Sequence, residues 1–201
     1  MKNRLILASQ SPRRYDLLTQ VNLDLEVIPS EVNEEFTEGE TPGEHVLRLA
    51  EAKAIKIGTL HPDRWVLGAD TVVTIDHLVL GKPKDREEAL GMLKQLSGKE
   101  HRVLTGLFVC HRKKGKQDRL LVQTAVRVKP LTLLEMEWYV RTGEPFDKAG
   151  GYGVQGVGAF MIESVHGSYT NVVGLPLCES IELLDRLGAA RMTESGLQVL
   201  E

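Results

Sequence analysis

A chain of 201 residues with a formal net charge of −3 and only 5% aromatic residues has room for one domain with a well-buried core. That balance excludes a nucleic-acid groove, which needs a basic face and stacking rings, so any anion site must be local. No apolar run nears the roughly 18 residues that cross a bilayer and the N-terminus lacks a signal-peptide pattern, which predicts a cytoplasmic protein without a membrane partner. Cys110 and Cys178 stand apart on apolar stretches and are expected to be buried thiols.

Leu5-Ile-Leu-Ala-Ser-Gln-Ser-Pro-Arg-Arg14 reads as a buried strand turning into a helix, with Ser11 at the N-cap and Pro12 at the first helical position. Arg13 and Arg14 fall in the first turn, where the helix dipole disfavours positive charge. A phosphate bound at the exposed N–H groups would remove that conflict; the alternative is that both arginines face solvent.

Beyond that helix, which should end near Gln20, Leu25 to Ile28 forms a short strand closed by Pro29. Residues 31–40 are acidic and aperiodic, a loop that is either solvated or lends one carboxylate to a metal. Thr41-Pro-Gly-Glu44 is a capping box that starts a helix. At 3.6 residues per turn Val46, Leu49, Ala50 and Ile57 share one stripe, and Lys53 falls in the middle of it. Its ammonium either snorkels to the rim or reaches an anion.

Trp65 to Ile75 is a β-branched strand that turns at Asp76-His77 and returns over Leu78 to Leu80. Asp70 lies inside this apolar strand, where an unpaired charge is costly, and so reads as functional. Gly68, on the same face, leaves room for something to approach, while Thr71 points to the other face. Lys82 lies on the loop Gly81-Lys-Pro83. A helix capped by Asp85 runs to about Ser97, a long hairpin over 102–129 turns at the basic Lys113-Lys-Gly-Lys116, and Thr132-Leu-Leu-Glu135 caps a helix that ends near Gly143.

Gly151, Gly153 and Gly156 match a dinucleotide-binding spacing, but no strand precedes them, and Gly158 to Val165 reads as a strand where that motif needs a helix. The glycines are expected instead to let the backbone close on a flat ligand whose edge meets Gln155, or to form a tight turn with Gln155 in solvent. A last helix spans about 177–187.

Taken together, Arg13, Arg14, Lys53 and Lys82 as cations with Glu34 and Asp70 as acids describe a metal–polyphosphate site. A triphosphate has close to four negative charges, and one cation about 4 Å away contributes roughly 4 kcal/mol before desolvation, so several are needed. A divalent ion bridging carboxylate and phosphate oxygens would neutralise the rest.

Five segments in order resemble the Maf family of nucleoside triphosphate pyrophosphatases and span most of the chain: Ser9-Gln-Ser-Pro-Arg-Arg14, Leu67-Gly-Ala-Asp-Thr-Val-Val73, Gly81-Lys-Pro83, the glycine-rich stretch from Asp147 to Gly156, and Asn171-Val-Val-Gly-Leu-Pro176. The resemblance implies one α/β domain over residues 1–201, Maf/ITPase-like, with an elongated mixed β-sheet flanked by helices and a nucleotide cleft between two lobes. It implies cleavage of a nucleoside triphosphate between its α- and β-phosphates with a divalent metal, Mg2+ or Mn2+, as cofactor. Asp70 matches the catalytic aspartate, as proton acceptor or as metal ligand, and Glu34 the acidic metal-ligand position. Asn33 beside it stands where an acid is commoner. Ser9, Arg13, Lys53 and Lys82 match phosphate-binding positions, with Arg14 beside them in the substrate turn.

Arg13, Thr71 and Gln155 match positions that separate substrate branches, and Tyr152-Gly-Val-Gln-Gly156 is similar to the branch acting on dTTP and UTP. A glutamine amide can pair with the carbonyl and imino edge of uracil or thymine. The expected activity is hydrolysis of dTTP, UTP and modified uridine triphosphates, a house-cleaning role. The alternative is a nucleotide-binding regulator of septum formation that signals without turnover. Oligomeric state is open, a homodimer being what the resemblance favours.

Overall fold

The computed structural model describes residues 4–200. In chain order they form β1 (Leu5–Leu7), α1 (Pro12–Thr19), β2 (Leu25–Val27), α2 (Pro42–Leu60), β3 (Val66–Ile75), β4 (Leu78–Leu80), α3 (Arg86–Leu96), β5 (Glu100–His111), β6 (Lys116–Val128), α4 (Leu133–Arg141), β7 (Ile162–His166), α5 (Tyr169–Val173), α6 (Leu177–Leu187), β8 (Ala190–Thr193) and β9 (Gly196–Val199). The architecture is α/β with a mixed sheet flanked by helices. Its strand order is β2-β1-β3-β5-β6-β7, with β4 paired to β3 and a separate β8-β9 hairpin. β1 runs parallel to β2 and β3, whereas β3–β4 and β6–β7 are antiparallel.

The chain divides into two compact units. One takes the chain up to Asp70, Thr105–Val122 and everything from Gly174 on; the other takes Thr71–Leu104 and Gln123–Val173. In the first, Ile6, Val66, Phe108 and Cys110 of the strands and Ala8 just after β1 pack with Ala50, Ala54 and Ile57 of α2. In the second, Val73, Ile75, Val103, Val126 and Val128 pack with Leu93 and Leu96 of α3 and with Met136, Tyr139 and Val140 of α4. Both cores follow from the two periodicities, alternate strand residues meeting the 3.6-residue stripe of a helix.

The helix starts are written locally. Thr41 and Thr132 close full capping boxes with Glu44 and Glu135, and Asp85 accepts from the Glu88 N–H, each worth about 1 kcal/mol. Two glycines then decide how closely α2 can lie on the strands. A Cβ on Gly68 of β3 would stand 2.2 Å from the Ala50 carbonyl oxygen, and one on Gly106 of β5 would stand 2.3 Å from that of Val46. The room expected beside Gly68 is therefore filled by α2, and no ligand is needed to explain it.

Two other expectations change. The strand foreseen from Gly158 begins only at Ile162, because Gly156–Met161 form a 3-10 turn. Cys110 is buried as expected, but Cys178 is exposed. It lies in the first turn of α6, whose inward stripe is Ser180, Leu183 and Leu184.

Candidate functional site

The turn between β1 and α1 is built around Ser9, which is buried together with Arg14. The Ser9 Oγ accepts from the Ser11 N–H at 3.2 Å and from Arg14 Nη1 at 3.1 Å. Ser11 is the N-cap by position but its side chain makes no capping bond. A hydroxyl that accepts twice has its proton left to donate, which suits an anion. Arg14 also donates to the Ala69 carbonyl at 2.9 Å and, through Nε, to the Gly174 carbonyl at 2.8 Å. Burial lowers its pKa from the ordinary arginine value, opposed by the charges of Asp70 and Glu34 and reinforced by that of Arg13. The two arginines thus differ. Arg14 fastens the turn to β3 and to the segment after α5, and Arg13 sits half-buried at the helix start.

Lys53 does not snorkel: it is 7% exposed and Asp70 8%. Its Nζ lies 2.7 Å from Asp70 Oδ1 and 2.6 Å from Glu34 Oε1. The close seating of α2 on Gly68 explains the reach, since Lys53 follows the turn of helix that the glycine admits and Asp70 is two residues along the same face of β3. One ammonium therefore serves two carboxylates, one on a strand and one on a loop.

That loop is held by contacts that no local pattern announced. The Glu40 carboxylate accepts from Arg48 Nε at 2.6 Å and Nη2 at 2.8 Å, and its Oε2 lies 3.0 Å from His45 Nδ1. The Arg48 hydrogen bond, foremost, pulls the Glu40 pKa down to about 2. Phe36 stacks on the His45 ring with centroids 3.5 Å apart, and Arg48 Nη2 donates to the Glu35 carbonyl at 2.9 Å. Lys56 donates to the Glu31 carbonyl. Glu34 thus sits on a stretch anchored on both sides to α2.

The remaining candidates belong to the other unit. Thr71 follows Asp70 in an unbroken strand and leaves its opposite face. Lys82 is exposed on the loop after β4, and Gln155 is exposed at the start of the 3-10 turn Gly156–Met161. Their two loops are joined, because the Gly150 N–H donates to the Gly81 carbonyl at 2.9 Å. The glycines close on the protein's own side chains: Gly150 against Val73, and Gly156 against Glu144.

Two carboxylates offer hard oxygen donors to a divalent cation. Among the described residues no group of three or more His, Cys, Asp or Glu could enclose one. A cation that keeps waters and takes further oxygens from a bound phosphate needs no more than this pair. Chemically, the unit gathers a hydroxyl donor, a helix start, three cations and two acids, a set matched to a phosphorylated ligand.

Residues 4–187 match the family described as Maf-like protein. A dTTP/UTP pyrophosphatase of Syntrophus aciditrophicus is 52% identical over 198 residues, covering 98% of this chain and 96% of its own. One of Syntrophotalea carbinolica is 48% identical over 194 residues, covering 95% and 88%. Among solved structures, the Staphylococcus aureus Ham1 protein overlays with a TM-score of 0.46 at 15% identity, covering 80% of each chain.

Proposed function

The chain belongs to the Maf family, and from that premise we propose that it is a nucleoside triphosphate pyrophosphatase that hydrolyses dTTP and UTP to the monophosphate and pyrophosphate. The observation that carries the reading is the convergence of Lys53, Asp70 and Glu34, which lie apart in sequence, on one ammonium–carboxylate cluster.

Asp70 accepts the proton of the water that adds across the α–β phosphoanhydride, and Lys53 keeps its carboxylate in place. The Ser9 hydroxyl, Arg13 and Lys82 bind phosphate oxygens, while Arg14, which donates through Nε and Nη1 to Ser9, Ala69 and Gly174, holds the turn in shape. Glu34 and Asp70 would hold a divalent cation, magnesium or manganese. When bound, it would neutralise the charge that develops on the phosphate oxygens. Gln155 reads the pyrimidine edge, with Arg13 and Thr71 as the other residues that set the substrate branch. Among the described residues no helix is long and apolar enough to cross a membrane. We place the protein in the cytoplasm, as a homodimer, a state that sedimentation would check.

The test is a panel of nucleoside triphosphates assayed for pyrophosphate release with and without magnesium or manganese. Release from dTTP and UTP that needs the cation is the expected result. Preference for purine nucleotides would overturn the substrate assignment.

A further inference from the structure

The half-buried Glu144 opens the 3-10 turn Glu144–Asp147 that follows α4, and its carboxylate is the acceptor around which the glycine-rich stretch is wound. Its Oε2 accepts from the Val157 N–H at 2.9 Å, and its Oε1 accepts from the Gly158 N–H and from the Tyr139 hydroxyl, each at 3.0 Å. The Tyr139 hydroxyl accepts in turn from the Gly153 N–H at 3.1 Å. The backbone of Glu144 is fixed as well, its N–H donating to Thr142 Oγ1 at 3.2 Å and its carbonyl accepting from Lys148 Nζ at 2.8 Å. Residues 153, 157 and 158, on both sides of Gln155, are thereby tied to one carboxylate–phenol couple.

The glycines are the complement of that couple. Gly156 has a φ of +70°, and a Cβ there would lie 2.8 Å from Glu144 Oε2. At Gly158 a Cβ would lie 2.4 Å from the Gly153 carbonyl oxygen and 2.8 Å from the Tyr139 hydroxyl. Two N–H groups after Gln155 aimed at the carboxylate, and one before it aimed at the Tyr139 hydroxyl that the carboxylate holds, form a mount for that exposed glutamine.

We propose that Glu144 is a positioning residue for substrate selection: it fixes the main chain after Gln155 directly and the main chain before it through Tyr139, so that the amide meets the base in one setting. The inference rests on the reading of Gln155 as the base-contacting residue. A fixed amide binds with less loss of freedom than a mobile one, so loosening its mount weakens binding of the base and leaves the triphosphate contacts intact.

Glu144→Gln tests it, because one backbone N–H would then face an amide NH2 where it had a carboxylate oxygen. The KM for dTTP is expected to rise about tenfold with kcat within about threefold, while inhibition by inorganic tripolyphosphate, which has no base, stays within about twofold. An unchanged KM, or a KM and a tripolyphosphate inhibition constant that rise together, would overturn the proposal, the second outcome making Glu144 a general structural support. Should Glu144→Gln not fold, Tyr139→Phe keeps the ring and removes only the linking hydroxyl; the same split at about threefold supports the proposal, and its absence overturns it. Wild-type protein inactive on both dTTP and UTP would instead defeat the substrate reading beneath it, before any variant is made.

Discussion

Lys53 Nζ of α2 stands 2.7 Å from Asp70 Oδ1 of β3, a cation and a carboxylate that each interrupt an otherwise apolar surface and cancel each other's cost of burial. If Asp70 takes the proton of the attacking water, Asp70→Asn should lower kcat at least about a hundredfold and move the KM for dTTP by no more than about threefold. Steady-state rates with saturating magnesium check this, and unchanged turnover would remove Asp70 from the proposed chemistry.

Folding and chemistry should separate at the same pair. Removing the cation alone, in Lys53→Met, strands Asp70 in the interior at a cost of about 3–5 kcal/mol. The double variant Lys53→Met with Asp70→Leu should recover most of that stability and none of the activity. Urea midpoints of the single and double variants give the comparison, and a double variant no more stable than Lys53→Met would contradict it.

Gly68→Ala should be among the most damaging single methyl additions in the chain. The added carbon meets backbone, the Ala50 carbonyl at 2.2 Å, so α2 must lift from β3 and carry Lys53 with it. Destabilisation of about 3 kcal/mol or more and loss of turnover are expected together. Thermal unfolding with an activity assay measures both.

The clip formed by Glu40, Arg48 and His45 should matter for the metal more than for the fold. Arg48→Gln frees the loop that bears Glu34, and the magnesium concentration for half-maximal rate should rise about tenfold. The thermal midpoint should shift by only a few degrees. A metal titration of the steady-state rate reads this directly.

Acid should weaken the unit that contains His101. This ring is buried, its Nε2 lies 2.6 Å from the Tyr152 hydroxyl, and burial pushes its pKa down to about 4. The unfolded chain takes up a proton near pH 6.5 that the folded chain refuses, so the unfolded state binds more protons below that pH and stability falls as pH drops from about 6.5 towards 4. The window is worth up to roughly 3 kcal/mol. His101→Phe should flatten it, which denaturant midpoints between pH 7 and pH 4.5 would reveal.

Lys53 and Asp70 were legible in the sequence because each breaks a local pattern, one a helical stripe and the other an apolar strand. The capping boxes at Thr41 and Thr132 were legible for a different reason, being complete within four residues. What could not be read was who meets whom at long range. Gly68 announced an empty place but not that α2 fills it, and Arg13 and Arg14 are equivalent until the fold gives one of them the Gly174 carbonyl. Glu40 and Arg48 sit eight residues apart, across the start of a helix, and neither violates a pattern. The glycine-rich stretch left a ligand and a tight turn both open because glycine marks close approach without naming the group approached, here in part Glu144.

The bond from Arg14 to the carbonyl of Gly174 joins positions 160 residues apart. During synthesis the N-terminal turn emerges long before its last acceptor exists, and translation at roughly 5–20 residues per second leaves it waiting many seconds for completion. A nascent chain that lacks Gly174 therefore has Arg14 held to Ser9 and Ala69 without that carbonyl, and the bond that ties the turn to the segment after α5 forms only once residue 174 has been made.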